Sequence, residues 1–129
     1  MISESTFYSQ DQAAERAGVE VEEVRPGYAR ASLTVGQNHL NGMGMAHGGI
    51  VFLLADTVFA HACNARGIKT VAAQCNITYH LPSCPNDRLT AVGTEVYLKG
   101  RKGLYDVVVT NQRDEVVAHF RGHSVALRG

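Results

Sequence analysis

The sequence predicts an α+β domain, an antiparallel sheet of five to six strands around one long central helix. Three observations carry that prediction. Residues 50–63 are apolar on nearly every face, interrupted only by Asp56, Thr57 and His61. Stretches of period-two alternation lie on both sides of that run, and Gly-, Pro- and Asn-containing breaks separate them. A helix apolar all round is surrounded by protein, and short alternating strands are what can surround it.

Taken in order, residues 6–17 are expected to form a short amphipathic helix with Phe7, Gln10/Asp11 and Ala14 on alternate turns, suited to a lid or edge cover. Residues 19–24 and 28–35 alternate on either side of Arg25-Pro26-Gly27 and pair as a hairpin. Gly48 and Gly49 free the backbone at the start of the central helix, and Asn64-Ala65-Arg66-Gly67 supplies stop signals, placing it over residues 48–66. It is too short to span a membrane, which takes roughly 20 apolar residues, and it carries a carboxylate at its centre. Residues 70–79 put Val71, Ala73, Cys75, Ile77 and Tyr79 on one face. The break at 82–87 leads to strands at 88–98, 104–110 and 115–127, so the four later strands are expected to run as a meander. One helix covers only one face of such a sheet, and further assembly is expected.

A chain of 129 residues is one domain, residues 1–129. Basic and acidic residues balance at twelve each, so no net field favours nucleic acid or an anionic membrane. The first residues offer neither a basic nor an apolar leader segment, which points to the cytoplasm. Cys63, Cys75 and Cys84 are odd in number and lack metal-type spacing, as expected of reduced thiols without disulfides. His119 and His123 are four apart but lie in a strand, and no His-Glu-x-x-His occurs, so no metal is expected.

Asp56 is the first pointer to chemistry. An unpaired carboxylate inside an apolar helix costs on the order of several kcal/mol, so it faces either a partner or a site. Buried acids serve structure about as readily as function. Gly48 and Gly49 present free N–H groups at the positive end of the helix, fit for a carbonyl oxygen, although a Gly-Gly pair on its own reads first as room for packing. Gly48 and Asp56 stand eight residues apart, about 12 Å along one helix. If both act on one atom, they come from two helices in two subunits. His47 reads first as a helix cap or core residue, and Lys99, Arg101 and Lys102 as a solvated hairpin tip that could also hold phosphates. Neither a dinucleotide fingerprint, a P-loop nor a serine-nucleophile elbow is present.

The stretch 41–64, with Ala46-His47-Gly48-Gly49, Leu54-Ala55-Asp56 and Phe59-Ala60, resembles the PaaI-like thioesterases of phenylacetic acid degradation, which have the hotdog fold. The likeness continues through residues 74–82 and 105–122 and covers most of residues 35–129. It implies a sheet wrapped around the long helix, a homodimer with adjacent helices, commonly a tetramer of two such dimers, and hydrolysis of acyl-CoA without any cofactor, coenzyme A being part of the substrate. By position, Asp56 would be nucleophile or general base, Gly48 N–H of the opposite chain would polarise the thioester carbonyl, and Asn41 and His47 would shape the site. Gly49 would adjoin the substrate. Lys99, Arg101 and Lys102, with Arg121 and His123 nearby, become CoA-side contacts. Two positions depart from the family: Met43 and Met45 replace polar loop residues, and Leu81 replaces an arginine before Pro82. A more apolar entrance suits phenylacetyl-type, other aryl or medium-chain acyl groups. A non-catalytic acyl-CoA sensor or carrier is the alternative, and Asp56, which a pure binder has little need for, argues against it.

Overall fold

A computed structural model describes residues 10–127 of the chain. Its elements are α1 (Gln12–Ala17), β1 (Glu20–Arg25), β2 (Tyr28–Thr34), a 3-10 turn (Gln37–His39), α2 (Gly48–Asn64), β3 (Thr70–Tyr79), β4 (Arg88–Lys99), β5 (Lys102–Thr110) and β6 (Val116–Ala126). Residues 6–9 of the expected first helix lie outside the described residues. Within them α1 begins only after Asp11, whose carboxylate accepts the Ala14 N–H at 3.0 Å and caps the helix.

All strand pairs are antiparallel, and the six-stranded sheet runs β1-β2-β4-β5-β6-β3. The expected four-strand meander is therefore corrected: β4, β5 and β6 form it, while β3 sits at the far edge beside β6. The connector 80–87 is no hairpin turn. It contains Pro82 and Pro85 and crosses back toward β4, tied by His80 N–H to Val117 O, Ala46 N–H to Ser83 O and Asn86 N–H to Val35 O, each 2.8 Å. A second correction concerns the face of β3. A bulge between Ala72 and Gln74 shifts the register, so Thr70 and Ala72 stand opposite buried Ala126 and Ser124. Val71 turns outward and is 38% exposed, whereas Cys75 and Ile77 pack against the core as expected.

Helix α2 lies on the concave side, packed chiefly against β2, β4 and β5. Leu54, Ala55, Val58, Phe59 and Ala62 are buried along it against Leu33, Leu89, Val107 and Phe120. Its half-exposed positions, among them Leu53, Asp56 and Ala60, fall four, three and four residues after exposed Gly49 and form one uncovered stripe. The helix ends two residues earlier than expected because the Asn64 side chain takes both the N–H (2.9 Å) and the carbonyl (3.0 Å) of Thr70, as a strand partner would.

Close approach of helix to sheet depends on Gly122 of β6, where a Cβ would lie 2.7 Å from the Phe59 ring. That ring is held by Tyr105 and Phe120, at centroid distances of 5.6 and 5.7 Å, and has nowhere to move. Gly122→Ala is accordingly expected to lower stability by about 1–3 kcal/mol. Urea unfolding checks this, and an unchanged midpoint would mean that the helix shifts freely on the sheet.

Candidate active site

The loop entering α2 is ordered from within. Asn41 Oδ1 accepts the N–H groups of Met43 (2.9 Å) and Met45 (3.1 Å) around Gly44, whose φ of +78° suits glycine. Met43 stands 78% exposed at the loop tip. His47 N–H then donates to His39 O, and the His39 ring bridges Gly36 N–H and Ala17 O, linking the loop to α1.

The first turn of α2 accounts for its own amides, with one exception. His47 Nδ1 accepts Gly49 N–H at 2.9 Å, and His47 O accepts Ile50 N–H at 2.9 Å and Val51 N–H at 3.4 Å. Gly48 N–H has no acceptor among the described residues. It opens beside a cavity of about 340 Å³ lined by Tyr79, Leu81, Pro82 and Ser83. Both glycines sit in close quarters: a Cβ at Gly48 would lie 3.2 Å from the Tyr79 hydroxyl, which donates to Gly48 O, and one at Gly49 would lie 3.1 Å from His47 Nδ1, so either neighbouring side chain would have to give by a few tenths of an ångström.

Two turns on, Asp56 opens into a different cavity of about 240 Å³, lined by Asp11, Leu53, Thr57, Phe59 and Cys63 among others. No hydrogen bond reaches its carboxylate among the described residues; the neighbouring Thr57 hydroxyl donates to Leu53 O instead, at 2.7 Å. Burial, and then the charge of Asp11, push the Asp56 carboxyl above the usual aspartate range. Burial likewise pushes the Cys63 thiol up to about 12 and raises Cys75, so both are neutral thiols beside the acid.

Within one chain, Gly48 and Asp56 thus face separate cavities. Asn41, His47, Gly48 and Gly49 gather at the helix start, with the Gly49 amide already engaged by His47. Lys99, Arg101 and Lys102 form the β4–β5 hairpin tip, where Arg101 Nε donates to Ala126 O. Arg101 lines a small hollow that shares Cys63 and Thr70 with the Asp56 cavity. Arg121 and His123 point from the outer face of the sheet, and both Arg121 nitrogens that bond there go to Asp106, at 2.6 and 2.8 Å. Among the described residues no group of three or more His, Cys, Asp or Glu could hold a metal ion, and no helix is long and apolar enough to cross a membrane.

Sequence reasoning missed Asp11, Tyr79 and Ser83 as residues lining these cavities, and the contact between His80 Nε2 and His119 Nδ1, 2.8 Å apart. Only Asp11 carried a local signal, an aspartate preceding a helical run.

Comparison with known proteins identifies the family and the fold. Residues 43–118 match the thioesterase superfamily. The chain is 38% identical over 123 residues to acyl-coenzyme A thioesterase PaaI of Escherichia coli K12, covering 95% of this chain and 88% of the relative. The structure of the E. coli PaaI protein from the phenylacetic acid degradation operon superposes with a TM-score of 0.92 at 37% identity, covering 95% of this chain and 89% of the other. A variant of the phenylacetic acid degradation protein PaaI from Thermus thermophilus gives a TM-score of 0.87 at 37% identity, with 91% and 100% covered. A thioesterase protein from Streptococcus pneumoniae, solved with coenzyme A, gives 0.84 at 28% identity, with 90% and 94% covered.

The isolation of Asp56 has a thermodynamic signature. Its folded-state pKa lies above the unfolded value, so the stability cost is absent when the group is protonated in both states and appears as pH rises through the folded pKa. At pH 7, Asp56→Asn is expected to melt at higher temperature than the wild type, with the gap closing as the pH falls below the aspartate range. Thermal melts across pH check this; a wild type at least as stable at pH 7 would contradict it.

Proposed function

The chain belongs to the thioesterase superfamily, and on that footing we propose that it hydrolyses phenylacetyl-type or other aromatic or medium-chain acyl-CoA thioesters to free acid and CoA, at a site shared by two copies of the chain. The observation that carries this reading is one helix bearing an unbonded carboxylate and an open amide about 12 Å apart. An antiparallel pair of such helices brings Asp56 of one copy to Gly48 of the other.

The two sheet edges support that pairing. The β1 edge carries Glu20, Glu22, Glu23 and Arg25, whereas the β3 edge, beside the uncovered stripe of α2, has no charged residue from Thr70 to Tyr79. Unpaired edges without charge invite another strand. We therefore place the dimer contact along β3 and the α2 stripe, and expect such dimers to pair into tetramers in the cytoplasm.

In the reaction, Asp56 takes a proton from water as the water oxygen attacks the thioester carbon; if Asp56 attacks that carbon itself, loss of the CoA thiolate leaves an acyl-aspartyl anhydride that water then hydrolyses, freeing the acid, restoring the carboxylate and supplying the thiolate's proton. Gly48 N–H of the second copy holds the developing oxyanion. The C–S bond then breaks, the acid is released, and CoA leaves with the proton. Desolvation makes the Asp56 carboxylate a stronger base than an exposed one. The phosphates of CoA fall to Lys99, Arg101 and Lys102, with His123 and the Asp106-paired Arg121 beside them. Asn41 and His47 hold the loop, Gly49 lets His47 cap the helix, and Met43 and Met45 make the entrance apolar. No cofactor takes part in this scheme.

Asp56→Ala and Asp56→Asn are each expected to cut CoA release by about 10²–10⁴. Gly48→Pro, which removes the amide proton at a position where proline fits a helix, is expected to be similarly impaired, its added carbon meeting only the flexible tip of Tyr79. In an equal mixture of refolded Asp56→Ala and Gly48→Pro chains, half the dimers are hybrids, each with one intact site, so about a quarter of the wild-type rate returns. A mixture that stays as inactive as its components would refute the shared site.

The pH profile offers a separate check. The charged or titratable groups facing Asp56 among the described residues are Asp11 on α1, Cys63 on α2 and Cys75 on β3, and the two thiols are neutral. Asp11→Asn keeps a capping side chain but removes a negative charge that disfavours ionised Asp56. The acid limb of kcat/KM is expected to move to lower pH in this variant. A limb that stays in place would disconnect Asp11 from the chemistry.

A further inference from the structure

Among the described residues, one buried side-chain oxygen or nitrogen has no hydrogen-bond partner, the hydroxyl of Ser83. Ser83 is 2% exposed and lines the same cavity as Gly48, whose N–H also lacks an acceptor. An orphaned buried hydroxyl costs about 1–3 kcal/mol, and native proteins rarely keep one without use.

The backbone around Ser83 holds it in this position. Its carbonyl accepts Ala46 N–H at 2.8 Å, two residues before the open amide, and the connector on either side is fixed by Leu81 N–H to Val117 O and Cys84 N–H to Asp87 Oδ2. No partner among the described residues fixes the hydroxyl itself. Two donors at one cavity wall, one N–H and one O–H, match a ligand oxygen with two lone pairs and no proton of its own. A carbonyl oxygen that gains negative charge is such a ligand.

We propose that Ser83 is the second donor to the thioester carbonyl oxygen, completing with Gly48 N–H the site that holds the oxyanion. The assignment rests on the hydrolytic reading above. As water adds to the carbonyl carbon, the C=O π pair moves onto oxygen, where the Gly48 amide and the Ser83 hydroxyl both bond to it. Collapse restores the C=O and breaks C–S. The Ser83 proton stays on Ser83 throughout; the water proton passes by way of Asp56 to the departing thiolate. Because these bonds strengthen as charge develops, Ser83 acts on kcat more than on KM. Ser83 and Gly48 belong to the same half of the site, and Asp56 of the other copy to the opposite half.

The test is Ser83→Ala, assayed for CoA release from phenylacetyl-CoA and octanoyl-CoA, with thermal melting alongside. The expected result is a kcat lower by about tenfold to a hundredfold, KM within about twofold, and a melting temperature equal to or above the wild type, since an unsatisfied buried group has been removed. Refolded with Asp56→Ala, Ser83→Ala should regain activity; refolded with Gly48→Pro, it should not, because both lesions fall in the same half-site. An unchanged kcat, or a kcat loss accompanied by a lowered melting temperature and no recovery with Asp56→Ala, overturns the assignment of Ser83. If wild-type protein releases no CoA from either thioester, the hydrolytic reading fails instead.

Discussion

The length of helix between Gly48 and Asp56 is the constraint from which the proposed chemistry follows. Eight residues of α-helix cannot be compressed, so an amide and a carboxylate about 12 Å apart address the same atom only across two helices. In the proposed dimer each chain would supply half of each of two sites. The exposed stripe on α2 would be the seam of that dimer, continued by the charge-free edge of β3. On the opposite edge, the Arg30 and Arg88 side chains bond Glu22 and Glu20, covering β1 with charge that discourages a second strand.

How much of this is written locally in the chain varies with the kind of information. Helix α2 and the strand limits were legible because apolar periodicity and backbone breakers act within a few residues of one another; the first residue of α2 and both ends of β3 fall where the pattern puts them. The position of β3 in the sheet was not. Alternation shows that a strand has two faces and leaves its neighbour open, and the connector 80–87 read equally well as a turn. The bulge after Ala72 could not be read either, since one unpaired residue reverses which face is buried without altering the composition. At the site, Asp56 and the glycines announced themselves by breaking local rules. Asp11, Tyr79 and Ser83 break none, and acquire meaning only where the fold carries them to a cavity.

Two readings of the Gly48-Gly49 pair, packing space or an anion-binding end, are compatible with one geometry. Tyr79 approaches Gly48 to bond its carbonyl, and the His47 ring folds over the Gly49 amide, so both positions leave little room for a side chain. That second contact consumes the Gly49 N–H, and the His47 carbonyl consumes the next two. What remains at the helix end is a single free donor rather than an anion-binding nest of several. A full nest would hold a ground-state anion such as phosphate tightly. One amide, joined as proposed by the Ser83 hydroxyl, would bind a neutral carbonyl weakly and an oxyanion well, which is the discrimination catalysis requires.

The same logic accounts for the environment of Asp56. A carboxylate that accepts several hydrogen bonds is stabilised as an anion and becomes a poor base. Here the hydroxyl of the adjoining Thr57 is turned back to its own helix, both nearby thiols are held neutral by burial, and the charge that acts on the acid is another carboxylate, Asp11. Each of these withholds stabilisation from the ionised form. The fold thus keeps the acid under-solvated at one end of the helix and the donor under-used at the other. Stability is lost at both ends, and in the proposed dimer one substrate bridging two copies of the chain would recover both losses.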